Sequence, residues 1–298
     1  MTVFRLHLRP KGGLADPRFS FKYCLKNSVL GLGWQTDSHT NGSDWDSYEK
    51  EASKLYGAKA LSRVRYLRNH VKKGDLIWTR DTNGTYYLGM VLSQWEYFST
   101  PEAKDADIVN IVRCELQKVS NVDDVPGKVV ACFRPTRTIQ AIRDQTSINY
   151  SELLWNKLSG TELFDVEIDN TANIFSFLSA EEAEDIIFIY LQVKGWVLIP
   201  NSRKSDTMSY EYYAIHKESK QKAIVQVKTG WTALNPKEWE HWKEKVFLFQ
   251  VNGNYTETGS DNVVCISPKE IEKFISDYLD IIPTSIGRWF EVIQASKI

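Results

Sequence analysis

Residues 223–230 of this chain read AIVQVKTG, an apolar strand that carries one amide and one amine. Side chains alternate between the two faces of a strand, so Ala223, Val225 and Val227 are expected to enter a core. Gln226 and Lys228 then point together from the other face. Two polar side chains on one face of an otherwise buried strand indicate a site for a cation and a phosphate.

A second strand is expected just before this one. Residues 210–215 read YEYYAI, which predicts a strand from its aromatic and apolar content. The polar run at residues 216–222 then predicts a turn into the strand of Gln226. A hairpin of this length brings Glu211 close to Gln226.

A helix with its own carboxylate precedes both strands. The sequence SAEE at residues 179–182 is a capping box, and Lys194 and Gly195 end the helical pattern. Glu184 lies at the border of the apolar stripe of this helix. The residues of that stripe are Ala183, Ile186, Ile187, Tyr190 and Leu191.

The order of these elements resembles the PD-(D/E)XK nuclease superfamily. It is most similar to the Mrr-like branch, in which glutamine can replace the second acid. The resemblance covers residues 170–278 and implies an α/β domain with the mixed sheet of restriction endonucleases. The residues that carry it are Glu184, Glu211, Gln226 and Lys228.

The resemblance also implies a ligand set and a cofactor. Oxygen ligands suit Mg²⁺ or Mn²⁺, and we expect the Glu211 carboxylate, the Gln226 amide oxygen and the Val227 carbonyl to hold the ion. Glu184 is expected as a direct or outer ligand. Lys228 is expected to orient water or to stabilise the transition state of phosphodiester hydrolysis.

Several alternatives to this site remain open at the level of sequence. A lone Glu or Lys on a strand is usually solvated, and Q-x-K occurs by chance in many proteins. Gln226 also removes one negative charge, so weaker metal binding is expected. Asp206 competes with Glu211 as the first acid, although its surroundings, KSDT at residues 204–207, indicate a loop.

The composition is that of an ordinary globular protein with two domains. The chain has 298 residues, of which 42% are hydrophobic and 25% charged. Its longest strongly apolar stretch, residues 186–191, is too short to cross a bilayer, and no export signal is evident. Four scattered cysteines and five histidines form no metal or disulfide motif. We therefore expect a cytoplasmic protein without a membrane partner.

Charge differs between the two halves of the chain. Residues 1–150 contain 22 Lys and Arg against 16 Asp and Glu, whereas residues 151–298 contain 15 against 22. A basic half suggests contact with a polyanion, and an acidic half concentrates the carboxylates that metals need. Solvated surface charge would produce the same asymmetry.

The first half predicts a small β-rich domain. Residues 71–80 and 86–91 form a strong hairpin signal around Asn83-Gly84, and residues 108–116 and 129–134 are further strand candidates. With GLGW at residues 31–34, the pattern is similar to a PUA-like barrel of the EVE or YTH type. This resemblance implies binding of a modified base in an aromatic pocket.

Trp34 and Trp45 are the candidates for that pocket, with Trp78 and Trp95 behind them. Trp34 follows two glycines and Trp45 lies in a polar stretch. The alternative is that both cover the edge of the core, which is at least as common for a single Trp. The glycines of GLG lack the third glycine of a dinucleotide-binding loop, so a nucleotide fold is rejected.

Two further helices are expected. Residues 48–70 predict one helix, with a break at Gly57, whose arginines face phosphate or solvent (Arg63, Arg65 and Arg68). The sequence SPKE at residues 267–270 predicts a helix cap. The residues of that helix expected to pack inward are Ile271, Phe274, Ile275, Tyr278 and Leu279.

These patterns combine into an α/β (α+β) protein. We expect a PUA/EVE-like recognition domain at residues 1–148, a linker at 149–172 and a nuclease-like domain at 173–298. The expected function is modification-dependent DNA cleavage by a homodimer. The alternatives are a nucleic-acid-binding protein whose nuclease fold is inactive, and a nuclease that acts on RNA.

Overall fold

The computed structural model describes residues 1–10, 15–134, 137–166, 173–199 and 210–296. The chain divides into two compact units, Met1–Val166 and Glu167–Ile298. Asp206, the alternative first acid, lies outside the described residues, as does the end of the predicted linker. No helix in the described ranges is long and apolar enough to cross a membrane.

Within the described residues of the first unit, seven strands form one curled sheet in the order β2-β6-β4-β3-β1-β7, with β5 also paired to β6. Only β1 and β3 are parallel among these pairs. The strands are β1 (Val3–Leu6), β2 (Val29–Leu32), β3 (Leu76–Arg80), β4 (Tyr86–Val91), β5 (Glu96–Tyr97), β6 (Asn110–Lys118) and β7 (Ile139–Ile142).

The hairpin predicted around Asn83-Gly84 is present as β3 and β4. The Asp81 carboxylate accepts from the backbone of Asn83 and Thr85, both at 2.8 Å, and Gly84 takes the left-handed conformation that such a turn requires. The order of pairing leaves β2 and β7 as the two ends of the described sheet. No pairing joins these two ends, so the described sheet does not close into a barrel.

Helices cover this sheet in the first unit. The break expected at Gly57 is confirmed, because this glycine adopts φ of 81° and ends the first of two helices. The strand expected at residues 129–134 is wrong, since this segment lies in a short helix. The helices are α1 (Pro17–Asn27), α2 (Trp45–Tyr56), α3 (Ser62–His70), α4 (Pro101–Asp105), α5 (Gly127–Cys132) and α6 (Gln145–Ser159).

Helix α6 occupies the first part of the segment expected as a linker. The Asp144 carboxylate caps it by accepting from the Ser147 amide at 2.9 Å, and Gly160 ends it in the left-handed conformation. Trp155 is 1% exposed, and the Ser151 hydroxyl accepts a hydrogen bond from the Trp78 indole at 2.9 Å. This helix therefore belongs to the core of the first unit.

The second unit contains a mixed sheet in the order β12-β11-β10-β9-β8. Strands β8, β9 and β10 form an antiparallel meander, whereas β10, β11 and β12 are parallel. The elements are α7 (Ala180–Val193), β8 (Trp196–Leu198), β9 (Tyr212–His216), β10 (Lys222–Lys228), β11 (Lys245–Gln250), β12 (Val263–Ile266), α8 (Pro268–Asp277) and α9 (Thr284–Ser296). The α+β class expected from the sequence is confirmed.

Most local predictions for the second unit hold. The capping box at Ser179 and Glu182 is formed, and the core positions Ala223, Val225 and Val227 of β10 are all buried. Two details of α8 are wrong. Ser267 precedes the helix without a side-chain cap, and Tyr278 and Leu279 are exposed because the helix ends at Asp277.

Candidate functional site

Glu211 and Gln226 face each other across the antiparallel pair β9 and β10. Tyr212 pairs with Val225, and the same register carried one residue further places Glu211 opposite Gln226. The Glu211 amide donates to the Val225 carbonyl at 2.9 Å, which ties Glu211 to β10 one residue before β9 begins. Side chains directly opposite each other in such a pair lie within contact distance.

The Gln226 amide connects the two oxygen atoms expected to bind a metal. Its Nε2 donates to Glu211 Oε1 at 3.1 Å and to the Val227 carbonyl at 3.0 Å. An amino group between two oxygens occupies a position that also favours a cation. Rotation of the amide by a half turn would present Oε1 instead, so that a carboxylate, an amide oxygen and a carbonyl face one point. This donor set fits Mg²⁺ or Mn²⁺.

Charge at this cluster is low for a metal site. Across the ranges that the structure describes, no three His, Cys, Asp or Glu side chains come together as metal ligands. Binding of a divalent ion at Glu211 therefore depends on the neutral amide and carbonyl for its remaining protein ligands.

Lys228 lies at the C-terminal end of β10, two residues after Gln226 on the same face. Its side chain is exposed, and within the described part of the chain its ammonium makes no hydrogen bond or ion pair. Its carbonyl accepts from the Val251 amide at 3.1 Å, so the backbone is fixed. The structure thus brings Glu211, Gln226 and Val227 together and leaves the Lys228 ammonium in solvent beside them.

Glu184 is connected to the sheet by a hydrogen bond from Tyr212, a residue that was not predicted from the sequence to belong to the site. The hydroxyl of Tyr212, a fully buried residue, donates to Glu184 Oε2 at 2.8 Å. Neighbouring side chains of a strand point to opposite faces, so Tyr212 leaves β9 on the face opposite to Glu211. Glu184 is therefore held against the α7 side of the sheet. Alternation in the sequence YEYY is the signal that predicts this separation.

The first unit contains a cavity of about 270 Å³ that includes Trp34. Apolar and aromatic groups form much of its wall, and Asp107, which is 7% exposed, adds a carboxylate. Burial, and to a smaller extent the Asp107 charge, raise the pKa of Tyr56 in this wall. The residues that line this cavity include Arg9, Gly31, Gly33, Trp34, Tyr56 and Asp107.

Two residues of this cavity have unusual backbone conformations. Trp34 has φ of 64° and Asp107 has φ of 54°, a region that L residues with large side chains rarely adopt. The Asp107 carboxylate lies against Gly33, where an added Cβ would be 2.4 Å from its Oδ1. Sequence reasoning missed Asp107, because nothing local connects it to a glycine 74 positions earlier.

Trp45 does not line this cavity. It is 9% exposed and packs edge-on against Trp95, with ring centroids 5.0 Å apart. Its indole nitrogen donates to Glu49 Oε2 at 2.7 Å, and the Arg68 guanidinium lies 4.8 Å from its ring centroid. Trp45 therefore is not part of the cavity wall next to Trp34, and the base-binding role of both tryptophans stays a prediction. Trp78 is fully buried.

Two of the three arginines expected near phosphate have partners within the protein. Arg65 forms an ion pair with Glu49, and Arg68 covers Trp45. Arg63 is exposed. The positive charge of the first unit is thus partly used in its own packing.

Comparison with known proteins gives little. No family model matches the chain, and no curated protein matches it. A solved structure with weak similarity is titled DNA modification-dependent restriction endonuclease AspBHI. The two chains are 10% identical with a TM-score of 0.22, over 90% of this chain and 79% of the other. Values this low establish neither a shared fold nor a shared function.

Proposed function

We propose that the protein is a metal-dependent DNA endonuclease whose first unit recognises a modified base. The observation that carries the proposal is the contact of the Gln226 amide with both the Glu211 carboxylate and the Val227 carbonyl. The Gln226 amino group lies between the two oxygens, and a half turn of this amide would bring a third oxygen to the same point, two residues before the lysine that ends the second strand. This arrangement supports hydrolysis of a phosphodiester.

Each residue has a distinct part in the proposed reaction. Glu211, the Gln226 oxygen and the Val227 carbonyl would hold Mg²⁺ or Mn²⁺. Glu184, which accepts a hydrogen bond from Tyr212 on the opposite face of the sheet, would not contact the ion. The metal would supply charge neutralisation and a more acidic water. The exposed Lys228 ammonium is accessible to a DNA phosphate and would stabilise the charge that develops on it.

The cavity of the first unit supports the recognition part of the proposal. An aromatic side chain, a glycine-lined wall and an enclosed carboxylate suit a flat ring that also donates a hydrogen bond. We propose that a modified base, turned out of its DNA strand, enters this cavity next to Trp34, as the resemblance to PUA-like domains implies. Cleavage of both strands would require two copies of the chain.

The test is cleavage of DNA with and without modified bases, in the presence of Mg²⁺ or Mn²⁺. Lys228→Ala should lower the rate by about 10²- to 10³-fold because one charge partner of the transition state is lost. Its matched control is Lys222→Ala, which removes an exposed lysine from the other end of β10. Equal rates for the wild type and Lys228→Ala would contradict the proposal.

A second pair of variants tests the metal site by binding alone. Glu211→Ala should abolish Mn²⁺ binding measured by calorimetry, whereas Glu218→Ala, in the exposed turn between β9 and β10, should not. If both variants bind Mn²⁺ as the wild type does and no DNA is cut, a catalytic role for this site is contradicted.

A non-catalytic nucleic-acid-binding protein is the second candidate function. The Gln226 amino group already satisfies both oxygens without a metal, and the Lys228 ammonium is in solvent. Both features favour a site that has no need of an ion. Under this alternative, the protein binds DNA or RNA and neither binds Mn²⁺ nor cuts. For a protein that does cut, parallel cleavage assays on matched DNA and RNA distinguish a DNA-directed from an RNA-directed nuclease.

A further inference from the structure

Trp231 is the exposed tryptophan of this protein. All ten tryptophans lie in the part of the chain that the structure describes, and Trp231, at 82% exposure, is the one among them that is largely in solvent. It lies three residues after Lys228, in the loop that follows β10. The exposed residues adjacent to it in the sequence, Lys228, Thr229, Gly230 and Thr232, are polar or small and carry no negative charge.

The backbone of this loop is held in place by three side-chain amides. Gln250 Nε2 donates to the Gly230 carbonyl at 2.7 Å and to the Thr232 carbonyl at 3.3 Å. Asn252 Nδ2 donates to the same Gly230 carbonyl at 2.8 Å, and Asn254 Nδ2 donates to the Trp231 carbonyl at 2.8 Å. Three successive carbonyls are therefore fixed around the exposed ring.

The amides are themselves fixed. Gln250 is fully buried at the end of β11, where it pairs in register with Lys228. Its Oε1 accepts from the backbone amides of Asn252 at 2.7 Å and Asn254 at 2.9 Å. The pattern QVNGN at residues 250–254 thus connects the end of the Lys228 strand to the position of Trp231.

A rigid backbone changes the energetics of an exposed ring. Single exposed apolar residues are ordinary on protein surfaces, and a mobile one needs no explanation. Here the ordering cost of the loop is met within the folded protein, so a partner that stacks on the ring loses less entropy. Stacking of a base on an aromatic side chain contributes about 1–3 kcal/mol.

We propose that Trp231 stacks on a nucleobase next to the phosphate presented to Lys228, in single-stranded or locally opened DNA. This inference rests on the proposed function, because it places the same DNA beside the same strand end. A nucleic acid fits better than a second protein, since the exposed residues adjacent to Trp231 in the sequence are polar or cationic and not apolar.

Binding of a labelled single-stranded oligonucleotide to the full chain, without divalent metal, tests the inference. Trp231→Ala should weaken binding by about 5- to 100-fold, the equivalent of one stacked base, and Trp231→Phe should restore most of the affinity. Val197→Ala is the matched control, because Val197 is 53% exposed on the edge strand β8, two strands away from β10. It should bind as the wild type does.

Tryptophan fluorescence supplies a direct reading. Acrylamide should quench the exposed Trp231 most strongly, the oligonucleotide should protect that emission, and Trp231→Ala should lack the protected component. Wild-type affinity in Trp231→Ala, or no protection by DNA, would overturn the inference even if the protein cuts DNA. A fall in molecular mass of Trp231→Ala in solution would assign the ring to a protein interface instead.

The two proposals fail in different ways. If DNA binds to the wild type and protects Trp231 but is never cut, the endonuclease proposal is contradicted and the stacking role is retained. If DNA cleavage depends on Lys228 while Trp231 stays accessible to the quencher, the stacking role is contradicted and the endonuclease proposal is retained. A wild type that binds no nucleic acid would overturn both.

Discussion

Asp107 of the first unit is enclosed in a cavity at 7% exposure, whereas Lys228 of the second unit is exposed at a strand end. The enclosed carboxylate is positioned by the close approach of Gly33 from a distant part of the chain. The exposed Lys228 lies on the same face as Gln226 because it follows two residues later in the same strand. One polar site therefore depends on long-range packing, and the other depends on local alternation.

This difference predicts how the two sites respond to change. Interiors are densely packed, so a single added methyl group near the cavity should affect the stability of the whole first unit. Polar groups at the end of a strand should instead change binding with little effect on folding.

The largest effect is expected for Gly31→Ala in β2. An added Cβ would lie 2.5 Å from the Asn110 carbonyl oxygen and 2.9 Å from Ile111 Cγ2. Because the strand backbone must shift, we expect a loss of about 2–3 kcal/mol in the free energy of unfolding, measured by denaturant titration.

Gly287→Ala in α9 is the control from the second unit. Its Cβ would have no neighbour closer than 3.8 Å, and alanine is the better helix former, so stability should rise by up to about 1 kcal/mol. Equal effects of the two substitutions would show that packing at β2 is looser than the distances indicate.

The next effect concerns Gln226→Glu in the second unit. A second carboxylate would face Glu211 in place of the Gln226 amino group. The hydrogen bonds that this amino group donates to Glu211 and to the Val227 carbonyl would both be lost. Without metal, we expect a loss of about 1–2 kcal/mol in stability; with Mn²⁺, we expect binding to be about tenfold tighter or more.

Calorimetry with Mn²⁺ and melting with and without the ion measure both parts of this prediction. Gln221→Glu, in the exposed turn before β10, should change neither. A Gln226→Glu protein that is destabilised but binds no metal would favour the non-catalytic candidate function.

His7 in the first unit should make stability depend on pH. Burial lowers the pKa of His7 to about 4, and the charges of Arg9, Arg5 and Arg80 add to the effect. The unfolded chain takes up this proton near pH 6.5, before the folded protein does. The contribution of neutral His7 to stability is therefore fully present above pH 6.5 and is lost as the pH decreases toward 4.

We expect this loss to be about 1 kcal/mol, because the ring is only half-buried and water screens its charge. Unfolding measured from pH 7 to pH 4 should show a smaller slope in His7→Gln. His70→Gln, which removes an exposed histidine from the end of α3, should leave the slope unchanged.

The same contrast explains what the sequence could predict. Alternation in residues 223–228 and the turn after His216 are local, so the pairing of β9 with β10 followed from the sequence. The cavity around Asp107 did not, because its wall combines segments far apart in the chain. The segment at residues 129–134 was predicted as a strand from β-branched residues, yet Pro126 and Gly127 begin a helix there.

Two serines of the second unit give the smallest and most local test. Ser179 and Ser267 both begin an S-x-x-E pattern, and the sequence predicts the same cap for each. In the structure, Ser179 Oγ accepts from the Glu182 amide at 3.2 Å, and the Glu182 carboxylate accepts from the Ser179 amide at 2.9 Å. Ser267 makes no such bond.

Ser179→Ala should therefore cost about 1 kcal/mol of stability, whereas Ser267→Ala should change it by less than about 0.5 kcal/mol. Thermal melting of both variants measures the difference. Proline at the first position of α8 already fixes the backbone in a conformation suited to the start of a helix, so the serine before it has less to stabilise. A cost for Ser267→Ala as large as that for Ser179→Ala would show that its hydroxyl caps α8 in solution.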